Sequence, residues 1–211
     1  TSEVYGSAQY IPIDETHPLV AQSPYAASKI AADKAVESFW RAFDLPCVTV
    51  RPFNTYGPRQ SNRAVISSII QQLISGSDVI QMGNLYPTRD FNFVADTVGG
   101  FIGAYNSFEK CRGEVLNIGS GFEISISDLV QELILISGKS AEVQSESQFI
   151  RAQNSEVDRL LSGCAKASEL IEWNPKFASK EGFRNGLALT YRWFEGLQDS
   201  SLISKRRSGF V

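Results

Sequence analysis

Histidine, cysteine and methionine are scarce in this chain of 211 residues, which has one histidine, three cysteines and one methionine. The single histidine, His17, lies in the sequence Glu15-Thr16-His17-Pro18, which is typical of a loop. With one histidine, neither a histidine-based catalytic triad nor a histidine-rich metal site is expected. We therefore predict no metal site and interpret His17 as a loop residue.

The three cysteines, Cys47, Cys111 and Cys164, are widely spaced and form no Cys-x-x-Cys motif. This usage favours a reducing cytoplasm over a disulfide scaffold or a zinc site. The net charge of -3 and the pI near 5.3 lack the basic excess of a nucleic-acid binder. No run approaches the roughly 18 apolar residues of a membrane span, and no signal peptide is visible. We expect a cytoplasmic protein without nucleic-acid or membrane partners.

The most informative stretch is Ser23-Pro24-Tyr25-Ala26-Ala27-Ser28-Lys29. Ser23 suits a helix N-cap, and Pro24 suits the first helical position, where no amide hydrogen is needed. Tyr25 and Lys29 then share one face of a helix that we predict to run to about Phe43. A phenol beside an ammonium is expected to lose its proton readily and to act as a general base towards a hydroxyl. The same spacing also fits an ordinary amphipathic helix.

Hydrophobic periodicity predicts strands that alternate with helices, which is the pattern of an α/β protein with a parallel sheet and a smaller C-terminal lobe. Thr1–Gly6 is interpreted as the end of a strand that runs into a turn, and Asn54–Arg59 as a loop. Strands are predicted at 47–53, 79–82, 89–94, 113–118 and 142–144. Further helices are predicted at 65–74, 96–105, 127–137, 164–172 and 180–196.

The sequence Gly119-Ser120-Gly121 follows a predicted strand and superficially suggests a phosphate-binding turn. The third glycine of Gly-x-Gly-x-x-Gly is absent, because Ile124 occupies that position. We interpret the sequence as a tight strand-to-helix turn that could line a pocket.

Five motifs occur in order along the chain: Thr-Ser-Glu-Val-Tyr-Gly, Ser-Pro-Tyr-Ala-Ala-Ser-Lys, Arg-Pro-Phe-Asn-Thr-Tyr-Gly-Pro-Arg, Arg-Asp-Phe and Asn-Ile-Gly-Ser-Gly. Together they resemble the extended short-chain dehydrogenase/reductases, the NAD-dependent nucleotide-sugar epimerases and dehydratases. The resemblance runs from Thr1 to about Phe194. It implies the C-terminal part of a Rossmann-type parallel sheet with a smaller mixed α/β substrate-binding lobe. It also implies NAD or NADP as cofactor and a nucleotide-diphosphate sugar as substrate.

The resemblance implies roles for individual residues. Tyr25 would be the base at the sugar 4-hydroxyl, Lys29 would hold the nicotinamide ribose, and Thr1 would hydrogen-bond the sugar oxygen. Phe53 and Asn54 would lie at the cofactor, and Asn54 would also contact the substrate. The remaining implied substrate contacts are Ser2, Arg59, Arg63 beside the nucleotide, Arg89 and Arg151 on the diphosphate, and Glu156 on the ribose hydroxyls. Arginine suits a diphosphate because its guanidinium can donate two parallel hydrogen bonds.

Glu3 indicates the subclass within the family that the chain resembles. Epimerases of this type usually carry a small residue there, whereas a 4,6-dehydratase needs a second acid/base to remove the C5 proton and expel the C6 hydroxyl. Ser2 departs from the aspartate of dTDP-glucose dehydratases and matches the GDP-mannose and UDP-N-acetylglucosamine 4,6-dehydratases. The resemblance therefore implies a 4,6-dehydratase in which Glu3 handles both protons or uses water for one. A C4 epimerase, with Glu3 as a surface residue in a turn, stays an alternative.

The glycine-rich turn that binds a dinucleotide diphosphate occurs nowhere in the sequence. We therefore expect a part of a longer protein, with an incomplete cofactor site and an apolar helix face turned to water. The predicted division is residues 1–60 as the remainder of a Rossmann-like domain, 61–200 as mainly substrate-binding lobe and 201–211 as a tail. The resemblance also implies a homodimer through a four-helix bundle that includes the Tyr25 helix. A self-associating product without enzymatic activity is the second hypothesis.

Overall fold

The computed structural model describes residues 1–146 and 157–208, with side chains described up to Leu197. A short 3-10 helix, Ser2–Tyr5, comes first. The α-helices are α1 (Pro24–Phe43), α2 (Val65–Ile74), α3 (Val94–Asn106), α4 (Phe108–Cys111), α5 (Ile126–Ser137), α6 (Ala165–Ile171) and α7 (Lys180–Ser208). The strands are β1 (Thr49–Pro52), β2 (Asn54–Tyr56), β3 (Val79–Met82), β4 (Thr88–Phe93), β5 (Val115–Ile118), β6 (Glu123–Ser125) and β7 (Glu142–Ser145).

The predicted helices and the five predicted strands are confirmed, but two short segments differ. The opening residues form a 3-10 helix and not the end of a strand, because the Thr1 hydroxyl accepts a hydrogen bond from the Glu3 amide at 3.3 Å. Gly6 ends this helix with a φ of 63°, which favours glycine. Asn54–Tyr56 forms strand β2 and not a loop, because it pairs with residues 91–93 of β4.

Two further differences concern the C-terminal half. The turn at Gly119–Gly121 leads into strand β6, which pairs antiparallel with β4, and so it joins two strands and not a strand and a helix. Helix α7 continues past the predicted end at 196 to Ser208, so residues 201–208 are helical where a tail was expected. The division into residues 1–60 and 61–200 stays a prediction.

Parallel pairing joins most of the described strands, which confirms the α/β class. β1 pairs with β5, β2 with β4, and β3 with β7, all in parallel. The antiparallel pair of β4 and β6 completes a three-stranded sheet. No described strand pairs with the other edge of β1. Among the described residues, no helix is long and apolar enough to cross a membrane.

The main core lies between α2, α5 and α7 and the strands β3, β4 and β6. A second apolar cluster joins β5 to α3, α4 and α6. A third cluster packs the 3-10 helix and Phe53 against residues 157 and 160. Helix α1 contributes one buried residue, Ala26, and its Phe43 is 73% exposed. An apolar part of α1 is therefore turned to water, as the sequence predicts.

Candidate active site

A cleft of about 590 Å³ lies where the 3-10 helix, the start of α1 and the C-terminal end of β1 meet. In parallel α/β sheets the carboxyl ends of the strands are where ligands bind. The residues of the predicted site that line this cleft are Thr1, Ser2, Glu3, Tyr25, Phe53, Asn54, Arg63 and Arg89. The structure thus brings together residues that are up to 88 positions apart in the sequence (Thr1 to Arg89).

The opening residues contribute the first wall of the cleft. Thr1 caps the 3-10 helix through its hydroxyl, and Ser2 is 1% exposed. Glu3 is partly buried and lines the cleft together with Tyr25. A carboxylate and a phenol therefore border the same space, as an acid/base pair acting on one substrate would require.

The N-terminus of α1 has the capping that its sequence predicts. Ser23 Oγ accepts a hydrogen bond from the Ala26 amide at 3.1 Å, and Pro24 occupies the first turn. Tyr25 is 52% exposed. Nζ of Lys29 lies 5.5 Å from the centre of the Tyr25 ring, which confirms that the two side chains share a helix face. Lys29 itself is exposed and is not among the residues that line the cleft.

The segment that follows β1 supplies the second wall. Phe53 is 2% exposed, and the Nδ2 atom of Asn54 is buried without a hydrogen-bond partner in the described part of the chain. Gln60 also lines the cleft, and its Nε2 donates a 2.8 Å hydrogen bond to the Thr55 carbonyl. No sequence motif singles out Gln60. The only signal would have been its place one residue after the Gly-Pro-Arg end of the third motif.

The predicted arginines are placed differently from one another. Arg63 and Arg89 line the cleft, and an Nη atom of Arg89 donates a 2.9 Å hydrogen bond to the Thr88 carbonyl. Arg59 is exposed with a φ of 68° and is not a lining residue, because the turn directs Gln60 to the cleft in its place. Arg151 and Glu156 lie outside the described residues.

The turn at Gly119–Gly121 binds a carboxylate of this chain and does not line the cleft. Asp90, which is fully buried, accepts hydrogen bonds from the amide and hydroxyl of Ser120 at 2.8 and 2.6 Å. It also accepts from the amides of Gly121 at 2.9 Å and Ser162 at 3.0 Å. Burial raises the pKa of Asp90, and these hydrogen bonds oppose that shift. Amides that are already bonded to Asp90 are not free to bind a phosphate.

A buried polar network connects α1 to β1. Nε of Arg51 donates to Asp33 at 2.8 Å, and an Nη atom of Arg51 donates to the Tyr5 hydroxyl at 2.9 Å. Tyr5 in turn donates to Asn117 at 2.7 Å. Burial raises the pKa of Tyr5 to about 12, although Arg51 opposes the shift. Tyr5 is therefore a neutral structural phenol at physiological pH and not a second base.

His17 lies in a loop, as predicted, and is 2% exposed. Its Nε2 accepts from the Gln9 amide at 3.0 Å, and its Nδ1 lies 2.9 Å from the Pro18 carbonyl oxygen. Both ring nitrogens are therefore used within the loop. The described residues contain no group of three or more His, Cys, Asp or Glu side chains that could hold a metal ion.

A polar cleft at the carboxyl ends of parallel strands is typical of α/β proteins that bind nucleotide-containing ligands. Residues 1–186 match the family model described as GDP-mannose 4,6 dehydratase. The chain therefore belongs to the NAD-dependent epimerase/dehydratase family, whose members modify nucleotide sugars.

Known relatives include both dehydratases and epimerases. The dTDP-D-glucose 4,6-dehydratase of Homo sapiens is 32% identical over 197 residues, which cover 92% of this chain and 54% of the human protein. The structure of Pal from Bacillus thuringiensis has 36% identity and a TM-score of 0.82, over 93% of this chain and 61% of that one. A UDP-glucuronic acid 4-epimerase from Bacillus cereus, in complex with UDP-glucuronic acid and NAD, has 29% identity and a TM-score of 0.82, over 93% and 60% of the two chains.

These relatives are longer than the present chain, which spans about half the length of the human dehydratase. At about 30% identity they do not distinguish a dehydratase from an epimerase. Family membership therefore follows from the comparisons, and the particular reaction does not.

Proposed function

We propose that this chain forms the substrate-binding and acid/base part of a nucleotide-sugar 4,6-dehydratase. The observation that supports the proposal is the single cleft shared by Glu3, Tyr25 and two arginines, Arg63 and Arg89. A dehydratase needs two proton-transfer groups at one sugar and a cationic site for the diphosphate. The cleft is lined by a carboxyl group, a phenol and two guanidinium groups, which suit these two tasks.

Tyr25 acts in this proposal as the base that takes the proton from the sugar 4-hydroxyl. The Lys29 ammonium lies 5.5 Å from the centre of the phenol ring, on the same face of α1. Thr1 lines the same cleft, and its hydroxyl would hydrogen-bond the sugar oxygen. Tyr25 and Thr1, which both line the cleft, would together orient the sugar so that hydride can leave C4.

Glu3 carries the step that distinguishes a dehydratase. It removes the proton from C5 and returns a proton to the departing C6 hydroxyl, directly or through water, so that one water is lost. Ser2 is buried beside it and carries no acidic proton of its own. Both proton transfers of the elimination are therefore assigned to Glu3.

The residues of this chain fit one end of a nicotinamide dinucleotide. Tyr25, Phe53 and Asn54 line the cleft, and the Asn54 amide has a buried donor without a partner among the described residues. The sequence has no glycine-rich turn for the dinucleotide diphosphate. Tyr25, Phe53 and Asn54 would hold such a cofactor, and when bound it would supply reversible hydride transfer to the sugar. Because its site is incomplete here, we expect the isolated chain to be inactive.

Calorimetric titration of the chain with dTDP-glucose, UDP-glucose and GDP-mannose tests the substrate assignment. We expect saturable binding of at least one, which Arg89→Met should weaken about tenfold or more by removing a charge-assisted contact. Lys110→Met, which changes an exposed cation on α4, is the matched control. Absence of saturable binding to all three would contradict the proposal.

A C4 epimerase is the second candidate, supported by the similarity to the Bacillus cereus UDP-glucuronic acid 4-epimerase. Mass spectrometry separates the two reactions when a nucleotide sugar is incubated with NAD and a longer protein that contains this chain together with a complete cofactor site. A dehydratase product lacks one water, whereas an epimerase product has the mass of the substrate. A new product that separates from the substrate by chromatography and has unchanged mass would remove the dehydratase assignment and leave the epimerase.

A non-enzymatic self-associating protein is the third candidate, supported by the exposed apolar side chains of α1. Phe39 and Phe43 are 51% and 73% exposed and their ring centres lie 5.6 Å apart. Sedimentation measurements give the oligomeric state, and a titration with NAD shows whether the chain binds this cofactor. Self-association without saturable NAD or nucleotide-sugar binding would favour this candidate.

A further inference from the structure

Gln60 lines the cleft and carries a buried polar atom that the proposed reaction does not use. Its side-chain oxygen, Oε1, is buried without a hydrogen-bond partner in the described part of the chain. Nδ2 of Asn54 is unpaired in the same way and belongs to the same cleft. Since most buried polar atoms in folded proteins are paired, two such atoms in one cleft indicate positions that a ligand or water satisfies.

The orientation of the Gln60 amide is fixed by the backbone. Its Nε2 donates a 2.8 Å hydrogen bond to the carbonyl oxygen of Thr55. Exchanging the nitrogen and oxygen of the amide would place two acceptors against each other, which is unfavourable. The atom that is left without a partner is therefore the acceptor, and a ligand group that satisfies it must be a donor.

The turn that carries Gln60 is also held firmly. The Gln60 amide donates to the Gly57 carbonyl at 3.2 Å, and Arg59 adopts a φ of 68° between them. Gly57 packs so closely on α3 that an added Cβ would lie 2.5 Å from Cγ1 of Val94. A polar atom held in place before binding loses little freedom when the ligand arrives, which favours affinity.

We propose that Gln60 is a specificity-determining residue of this cleft and that its Oε1 accepts a hydrogen bond from the bound nucleotide sugar. This inference rests on the proposed function for the class of ligand. The diphosphate oxygens carry no proton to donate at neutral pH. The donor is therefore a sugar hydroxyl or a hydroxyl or N–H of the nucleoside. Gln60 thus recognises the part of the ligand that differs between nucleotide sugars, whereas Arg63 and Arg89 recognise the diphosphate.

Three probes separate these parts of the ligand: dTDP-glucose, dTDP and inorganic pyrophosphate. Gln60→Met keeps the length of the side chain and removes the acceptor. We expect about a tenfold loss of calorimetric affinity for dTDP-glucose, the usual effect of losing one hydrogen bond at a desolvated site. Affinity for pyrophosphate should not change. An unchanged affinity for dTDP would identify a sugar hydroxyl as the donor, and a tenfold loss for dTDP would identify the nucleoside.

Gln131→Met is the matched control, because Gln131 is an exposed glutamine on α5 outside the cleft. If the wild-type chain and Gln60→Met bind dTDP-glucose with equal affinity, the inference about Gln60 is overturned and the proposed function is not. An equal loss for all three probes would overturn it too, because the substitution would then have deformed the cleft. If Gln60→Met does not fold by far-UV circular dichroism, Gln60→Leu takes its place under the same criteria. If the wild-type chain binds UDP-glucose or GDP-mannose in place of dTDP-glucose, that nucleotide sugar and its nucleoside diphosphate replace the first two probes under the same criteria. A wild-type chain that binds none of the three nucleotide sugars would overturn both the inference and the proposed function.

Discussion

Helices α1 and α5 are both amphipathic, yet they are held in the protein by different forces. α5 has 12 residues, four of them buried, and lies in the core with α2 and α7. α1 has 20 residues and buries only Ala26. The least exposed of its described ion pairs joins Asp33 to Arg51. The helix that carries Tyr25 is therefore positioned by directional contacts, while α5 is stabilised by apolar burial.

The two kinds of contact do different things for a site. Apolar packing supplies free energy but tolerates small rotations, because it depends mainly on the area removed from water. The Asp33–Arg51 pair depends on distance and angle, and it lies two helical turns from Tyr25 on the same helix. We infer that this pair sets the rotation of α1, and with it the position of the phenol in the cleft.

Leu129→Ala, in the apolar region, should have the largest effect on stability. Leu129 is fully buried on α5, and removal of a buried leucine side chain typically lowers the free energy of unfolding by about 3 kcal/mol or more. Leu135 lies on the same helix and is 64% exposed, so Leu135→Ala is the matched control with an expected loss below about 1 kcal/mol. Urea unfolding followed by circular dichroism measures both. Equal losses would show that α5 is not held by burial.

Arg51→Met tests the polar contact between α1 and β1. It should lower the free energy of unfolding by about 2 kcal/mol or more, because it leaves the largely buried Asp33 carboxylate without its partner. The Arg51 and Asp33 side chains are 5% and 17% exposed. Burial works against the charge of Arg51, but Tyr5 and Asp33 outweigh it and raise its pKa. Asp33→Asn and the double variant complete a double-mutant cycle in urea unfolding.

Glu37→Gln is the control for that cycle, because Glu37 forms exposed ion pairs with Lys34 and Arg41 on the same helix. It should change stability little. If the losses from Arg51→Met and Asp33→Asn simply add in the double variant, the pair is not coupled. The rotation of α1 would then have to be set by other contacts.

Glu123→Gln tests a polar contact of intermediate exposure, on the sheet that contains Arg89. Glu123 accepts from Nε of Arg159 at 2.8 Å and from the Thr88 hydroxyl at 2.8 Å. The hydrogen bond from Arg159 lowers the pKa of Glu123 below its ordinary 4.5, although burial opposes the shift. A lowered folded-state pKa gives stability that is present above pH 4.5 and lost as pH falls through the folded-state value.

Glu123→Gln should therefore lower the free energy of unfolding by less than about 1 kcal/mol at pH 7. The difference in this free energy between variant and wild type should shrink below pH 4.5. Urea unfolding at a series of pH values measures this difference. Asp128→Asn on α5, whose partner Ser125 is uncharged, is a carboxylate control from the same region. A difference that grows as the pH falls would contradict the sign of the Glu123 shift.

The features that local sequence predicts are those that depend on neighbouring residues. The start of α1 followed from Ser23 and Pro24, and the common face of Tyr25 and Lys29 followed from their spacing. The end of α5 at Ser137, where Gly138 adopts a φ of 65°, agrees with the predicted helix at 127–137. Each of these depends on a helical repeat or a cap, and neither needs a distant partner.

The features that local sequence does not predict depend on partners far along the chain. Strands β2 and β6 have three residues each and exist because β4 pairs with both. Asp33 and Arg51 are 18 residues apart, and Asp90 and Ser120 are 30 apart. Gln60 lines the cleft and Arg59 does not, which depends on the backbone conformation of one turn. The presence of Glu3 and Tyr25 in one candidate site was expected from the family resemblance and not from any periodicity.

Phe43→Ser should have the smallest effect, and it tests whether the face of α1 is exposed in solution. Phe43 is 73% exposed and its described ring contact is with Phe39 on the same helix. Removing so little burial should change the free energy of unfolding by less than about 0.5 kcal/mol in the monomer. If copies of this chain pair through α1, the loss should instead grow with protein concentration, because dissociation then accompanies unfolding. Urea unfolding at two concentrations a hundredfold apart therefore distinguishes an exposed helix from a shared interface, since only a shared interface makes the loss depend on concentration.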